Sequence, residues 1–387
     1  MKKKQYFIGF QLVNLVFQLL LIPLLYKNLN LTDIGIVLSY VYVTQFLMIG
    51  ILGGSSVIGI TSTGKGIRLT EYDVIKIQMI IATTISLLFL IVSNFINDLY
   101  VLNFLFFIFI LTTAITSYWL VIKQEHFKTL FYINIATKIL FLLMFVILIK
   151  LKPFDDTIVY TVSIVLEYFL MNMLLMYLDN KFVYFKIAFH NKISLEMITS
   201  YLSASFSELL KSFKKDIDKL LVVFLLPPNL IAVYNIIFKL IDIPSNLIMQ
   251  YNYLHLKHKK IDLNVIYGSI AISIVAIFAL LGFYDLVLDY LVSEKIHQVV
   301  MEYKIIFYLF SVLIIIRPLN QFLDFNYYHH GLFNKLTKYM IVYIVIILFV
   351  GFITVSSLNA VMFLVAISEL IYIVYLYLKI KKGLIYV

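Results

Sequence analysis

Apolar residues in this chain run in long blocks rather than in alternation. Read with a window of about 19 residues, the sequence predicts spans near Tyr6–Tyr26, Ile34–Ile60, Val74–Phe95, Leu99–Val121, Thr129–Ile149 and Ile158–Leu178. A second series follows near Ile198–Val223, Leu230–Met249, Val265–Tyr284, Tyr303–Leu323, Met340–Val355 and Ala360–Leu378. Each block approaches the roughly 20 residues that a helix needs to cross a bilayer. Spread over 387 residues, such segments leave only short connections. The pattern therefore predicts an all-α polytopic membrane protein of about 12 transmembrane helices with no separate soluble domain. Lys2, Lys3 and Lys4 ahead of the first block read as the basic end of a spanning helix. The apolar run is too long for a signal sequence and lacks a small-residue cleavage site.

Composition agrees: 63% hydrophobic, 13% charged, mean hydropathy +0.99. A globular chain carries about 25% charged residues, so a water-soluble fold is excluded. The formal charge of +10 measures a basic cytoplasmic face under the positive-inside rule and implies no nucleic-acid partner. Nineteen Lys and Arg fall on the side of the termini, from Lys2 through Lys65, Lys128, Lys192 and Lys260 to Lys382, against five on the other side: Lys27, Lys150, Lys152, Lys295 and Lys304. Both termini are thus expected in the cytoplasm. With no cysteine, disulfides and Cys-ligated clusters are excluded. The histidine pairs His255 with His258 and His329 with His330 sit among lysines or interfacial tyrosines, so no metal site is expected.

Seven cations and six acids fall inside predicted spans, where a charge costs a few kcal/mol unless it faces a bundle interior or a hydrated cavity. The densest stretch runs from Glu208 to Lys219. At about 100° per residue, Glu208, Lys211, Lys215, Asp218 and Lys219 share one sector, with Lys214 at its edge and Asp216 outside. This predicts a polar seventh helix lining a wet chamber, with Glu208 pairing to Lys211 and Lys214 to Asp218. Elsewhere stand Lys138, Glu167, Lys239, Asp242, Arg317 and Glu369. Lys239 and Asp242 are spaced to neutralise each other. Arg317, permanently charged and next to Pro318, is the residue most expected to meet an anionic ligand group.

The two halves are weakly alike. Ile34-Gly35-Ile36 corresponds to Ile231-Ala232-Val233, and Glu167, followed by Lys181, corresponds to Glu369, followed by Lys382. Because six is even, the repeats would be parallel, related by a pseudo-twofold along the membrane normal. The expectation is an amino-terminal six-helix lobe (1–180), a cytoplasmic linker (181–197) and a carboxyl-terminal six-helix lobe (198–387), with a central cleft.

Two further stretches carry a resemblance: Pro23-Leu24-Leu25-Tyr26 with Leu31-Thr32-Asp33-Ile34-Gly35, and Asp218-Lys219 before an apolar strip, with Ile231-Ala232-Val233-Tyr234 and Phe238-Lys239-Leu240. The layout resembles the polysaccharide-export branch of the multidrug/oligosaccharidyl-lipid/polysaccharide exporter superfamily, the Wzx-type O-antigen flippases. It departs from that branch at Ala232, where a glycine is usual, and in lacking an acid between Gly50 and Ile60. The resemblance implies a flippase that moves an undecaprenyl-diphosphate-linked oligosaccharide from the cytoplasmic to the periplasmic leaflet of the bacterial inner membrane by alternating access. Expected partners are the polyprenyl-diphosphate-linked glycan, membrane lipids and glycan polymerase machinery.

On that reading the diphosphate would be met by Arg317, Lys211, Lys214, Lys215, Lys138 and Lys239, and the sugar by Ser203, Ser205, Ser207 and Asn235. With no phosphate-binding G-x-x-x-x-G-K-[ST] motif, energy would come from a proton or sodium gradient through Glu167, Asp218 and Glu369, without a cofactor. Two rivals remain. A drug or cation antiporter of the same superfamily would need an unpaired acid in the amino-terminal half, where only Glu167 stands, offset by Lys138. A membrane-embedded glycan polymerase or ligase would need larger outer loops than those around Asp155-Asp156 and 285–302. No catalytic residue is expected.

Overall fold

Backbone polar groups in lipid must be satisfied within the chain, and helices are the solution found here. The computed structural model describes residues 2–61, 63–64, 67–151, 154–178, 186–188, 192–255, 263–329, 333–354 and 357–379. Helices α1 (Lys2–Tyr26), α2 (Leu31–Thr61), α3 (Glu71–Ile96), α4 (Tyr100–Leu111), α5 (Tyr118–Lys123), α6 (Phe127–Leu151) and α7 (Asp156–Leu178) form the first half. The second half comprises α8 (Leu195–Leu225), α9 (Pro228–His255), α10 (Leu263–Leu291), α11 (Glu294–Met301), α12 (Lys304–Phe310), α13 (Leu313–His329), α14 (Phe333–Thr354) and α15 (Leu358–Lys379). The only strands among the described residues are a two-residue antiparallel pairing of Thr63–Gly64 with Ile67–Arg68.

Among the described residues, ten segments are long and apolar enough to cross a membrane. The two other expected spans are α14, whose apolar stretch Thr337–Ile353 is shorter, and α8, which is rich in charge. This is a multi-pass, all-helical membrane protein with about 12 spans, as the hydrophobic pattern predicts. On α3 the apolar side chains Leu87, Leu88, Ile91, Val92 and Phe95 are exposed, as a helix bordering lipid requires.

Helix ends follow local chemistry. Thr70 caps α3 in a reciprocal box with Asp73, whose carboxylate accepts from Thr70 N at 2.9 Å. At the start of α2, Asn30 Oδ1 accepts from Asp33 N at 2.8 Å. Glu125 adopts φ 57° in the turn between α5 and α6, the left-handed conformation that ends many helices.

The predicted fourth span is one helix in the sequence pattern but is broken in the structure. A 3-10 turn, Thr112–Ile115, separates α4 from α5. Gln78 of α3 takes up the freed carbonyls: its Nε2 donates to Thr113 O at 2.6 Å and Thr116 O at 3.0 Å, and Trp119 Nε1 donates to its Oε1 at 3.2 Å. The tenth span is likewise divided, into α12 and α13. Periodicity registers apolarity, which is continuous across both breaks, and is blind to a distant amide that makes a break tolerable.

The chain divides into two compact units, Met1–Leu21 with Ile36–Phe213, and Ile22–Gly35 with Lys214–Val387. The division falls within α8, and the first outer connection belongs with the carboxyl-terminal unit. Of the expected linker 181–197, residues 181–185 and 189–191 lie outside the described residues.

In the amino-terminal unit, glycines of α2 let α8 approach closely. A Cβ on Gly54 would collide with the Tyr201 ring, and one on Gly53 would come within 2.9 Å of Glu208 Cβ. Tyr201 donates to Ile51 O at 2.5 Å, and Ser205 Oγ accepts from Gly54 N at 2.8 Å. Phe213 meets Phe46 at 5.0 Å between ring centroids. Contacts thus climb α8 from Tyr201 to Phe213 while descending α2 from Gly54 to Phe46. The two helices are antiparallel, and this part of α8 runs level with the α2 span Leu31–Ile58. The charged seventh helix is part of the bundle, as the sequence predicts.

In the carboxyl-terminal unit, Tyr26 reaches the first turns of α9. Its hydroxyl donates to Ala232 O at 2.9 Å and accepts from Asn235 Nδ2 at 3.0 Å. Gly35 abuts the Pro228 carbonyl so closely that no side chain fits there.

Candidate functional site

A helix that carries Asp216, Asp218 and Lys219 within a bundle must supply partners for them. In α8 the regular geometry fails at Asp216 (φ −121°, ψ 19°). The bend alters which residues share a face. Asp218 turns inward and is 1% exposed, whereas Lys215 is exposed.

Asp218 accepts from Tyr234 Oη of α9 at 2.5 Å and from Arg317 Nη2 of α13 at 3.2 Å. The other guanidinium nitrogen, Nη1, lies 3.5 Å from Asp242 Oδ1 of α9, and Asn246 Nδ2 donates to Asp242 Oδ2 at 2.7 Å. Arg317 therefore lies between two carboxylates from different helices and is 5% exposed. Lys219 Nζ pairs with Asp216 at 2.6 Å. Lys219 and Arg317 both lie 4.9 Å from the centre of the Phe238 ring, a cation–π arrangement. One turn beyond Arg317, Asn320 Nδ2 donates to Glu369 Oε2 of α15. Arg317 Nε and Asn320 Oδ1 are buried with no hydrogen-bond partner among the described residues.

Several expected pairings differ. Lys214 is 6% exposed and sits 3.9 Å from the centre of the Tyr372 ring. A face drawn at about 100° per residue for an unbroken helix does not hold past the bend at Asp216. Asp242, which the spacing predicts to be neutralised by Lys239, receives Arg317 and Asn246. Ser205 and Asn235, expected to meet sugar, are engaged with Gly54 and Tyr26. Glu208 does pair with Lys211.

In the amino-terminal unit, Lys138 Nζ lies 2.5 Å from Glu167 Oε1 and 4.1 Å from the centre of the Phe17 ring. The predicted site residues thus fall into separate groups. Arg317, Asp218, Lys214, Lys239 and Glu369 belong to the carboxyl-terminal unit, Lys138 and Glu167 form a self-contained pair, and Lys211 lies beside Glu208. Tyr234, Asp216 and Asn320 were missed as site members. Tyr234, at the end of Ile231-Ala232-Val233-Tyr234, carries part of the family resemblance, but nothing local announces its contact with Asp218. The side chains of His255, His258, His329 and His330 lie outside the described residues, as do those of Lys65, Lys257, Lys259 and Lys260.

The fold is a polytopic helical bundle with an Arg-centred ionic network in one unit, and it can be compared with known structures. No family model and no curated protein matches the sequence. The chain is similar to an outward-facing multidrug resistance MATE family transporter of the MOP superfamily, with 12% identity, TM-score 0.62, and 97% of this chain and 93% of that one covered. It is also similar to MATE in a bent conformation, with 11% identity, TM-score 0.58, and 98% and 93% covered. A third likeness is to a MOP superfamily transporter from Pyrococcus furiosus Vc1, reported with a binding pocket of reverse polarity suggesting a different function, with 10% identity, TM-score 0.54, and 98% and 92% covered. The fold is that of MATE-like transporters of the MOP superfamily.

Proposed function

We propose that this chain is an ion-coupled secondary transporter that moves a polyprenyl-diphosphate-linked glycan from the cytoplasmic to the periplasmic leaflet of the bacterial inner membrane, with both termini in the cytoplasm. The observation that carries the reading is Arg317 held between Asp218 and Asp242. Two carboxylates sharing one guanidinium leave one negative charge unmatched by it, which gives a coupling proton a place to bind. Once that proton is bound, part of the Arg317 charge is released for an anionic group such as a diphosphate, which an Arg fork recognises in bidentate fashion. Proton binding and anion binding would thus be linked through one side chain. Glu369, beside the unpaired Asn320 Oδ1, offers a second coupling carboxylate.

The multidrug transporter among the similar structures favours a second reading, drug or cation antiport. Against it stands Glu167, the acid that such cargo would need in the amino-terminal unit, which is matched by Lys138 at 2.5 Å.

The test is reconstitution of the full chain in vesicles. Leaflet transfer of a labelled undecaprenyl-diphosphate oligosaccharide is followed with and without an ion gradient, beside uptake of tetraphenylphosphonium. Gradient-dependent glycan transfer is expected. Transfer that persists after the gradient is collapsed overturns the coupling, and cation uptake without glycan transfer overturns the cargo.

A further inference from the structure

A second feature, within the amino-terminal unit, lies apart from the ionic network. Beside the close crossing of α2 and α8 is a cavity of about 400 Å³, within the range that holds small ligands. Its polar lining is Gln45 and Ser56 from α2 and Glu208 and Ser212 from α8, with Met48 and Leu52 among its apolar walls. Residues 45, 48, 52 and 56 recur at helical spacing, so α2 presents one continuous mixed face.

Gln45 and Ser56 lie within the apolar span Leu31–Ile58, and both are exposed. Among the described residues the Gln45 amide and the Ser212 hydroxyl have no hydrogen bond to protein, while Ser56 donates to Gly53 O at 3.0 Å and keeps its lone pairs. Unpaired amides and hydroxyls at bilayer depth are costly unless water or a ligand satisfies them. Among the described residues lining the cavity, Glu208 is the one charged side chain, and it is paired with Lys211. A cation therefore meets a neutralised acid, and an anion meets a carboxylate. A neutral ligand with hydroxyls around its edge and an apolar ring face fits both the polar groups and the Met48–Leu52 wall.

We infer that the α2–α8 groove is a binding site for a sugar ring, formed by Gln45, Ser56, Glu208 and Ser212. This rests on the lipid-linked glycan reading above and adds to it the place where the carbohydrate part is held. The amide and hydroxyls exchange hydrogen bonds with sugar hydroxyls, and Glu208 accepts with the lone pairs that Lys211 leaves open.

The chain has no cysteine, so one introduced thiol reports on one place. Ser212→Cys and Ser56→Cys, each in the full chain in vesicles, are exposed to a charged, membrane-impermeant methanethiosulfonate, with Ile139→Cys on the lipid-facing surface as comparison. Both groove thiols should label and Ile139→Cys should not. Oligosaccharide released from the lipid-linked pool of cells making this chain should slow labelling, whereas inorganic diphosphate and tetraphenylphosphonium should not. Gln45→Ala in the Ser56→Cys background should raise the half-protecting oligosaccharide concentration about tenfold.

Unlabelled groove thiols, labelling that no probe slows, or protection by diphosphate alone would overturn the sugar site and leave the flippase reading standing. Oligosaccharide protection that Gln45→Ala does not shift would remove the assigned residues. Protection by tetraphenylphosphonium and not by oligosaccharide would overturn both.

Discussion

Ser273 of α10 donates its hydroxyl to Ile314 O of α13 at 3.1 Å. Ile314 is the residue four before Pro318, whose nitrogen has no hydrogen to give that carbonyl. A serine from a neighbouring helix thus mends the defect that Pro318 introduces one residue past Arg317. Ser273→Ala should leave a buried carbonyl unpaired and cost about 1–3 kcal/mol, seen as a lower unfolding midpoint in detergent. Pro318→Ala restores the helical donor, so it should make the Ser273 substitution nearly neutral; full destabilisation in the double variant would refute the pairing.

Arg317→Ala should be severe. Removing the cation strands Asp218 and Asp242, and breaking a buried ion pair in this way costs about 3–5 kcal/mol. Arg317→Lys should recover only part of this, because one ammonium cannot replace two nitrogens directed at carboxylates on separate helices. Thermal unfolding of the purified variants decides; equal midpoints for Lys and wild type would contradict the two-sided arrangement.

Lys138→Ala alone should destabilise by leaving Glu167 as an uncompensated buried charge. The double variant Lys138→Met with Glu167→Leu should approach wild-type stability, since buried ion pairs are often replaceable by apolar groups of similar volume. A double-mutant cycle on unfolding midpoints measures the coupling. If transport also survives in the double variant, the pair is structural and Glu167 is not a coupling carboxylate.

Gly54→Leu should prevent the present packing of α2 on α8, since even a Cβ there would strike the Tyr201 ring. Tyr201→Phe should cost about 1 kcal/mol through loss of its bond to Ile51 O. A Gly54→Leu variant that folds with wild-type stability would mean that the ring moves aside freely.

The fold was readable because hydrophobic run length is a direct consequence of bilayer thickness, and ten of the twelve predicted spans reappear among the described residues as helical segments long and apolar enough to cross a membrane. What periodicity could not reveal was where helices break, because the compensating groups, Gln78 and Ser273, lie far off in sequence. The site was half readable. Charge in an apolar context singled out Asp218, Asp242, Arg317 and Glu369 individually, but pairings across helices depend on rotation about each axis. The bend at Asp216 resets that rotation within α8. Gln45 and Ser56 carry no charge and drew no notice, although two polar groups on one face of an apolar helix were there to be seen.

The first outer connection, residues 22–35, is claimed by the carboxyl-terminal unit through Tyr26 and Gly35. The chain is therefore interleaved: neither half of the sequence contains all of its own compact unit. A gene cut between 180 and 198 would yield a leading fragment with its Tyr26 hook bare and a trailing fragment missing the strap that covers the start of α9. Such fragments should accumulate only when made together, each serving as the other's assembly factor.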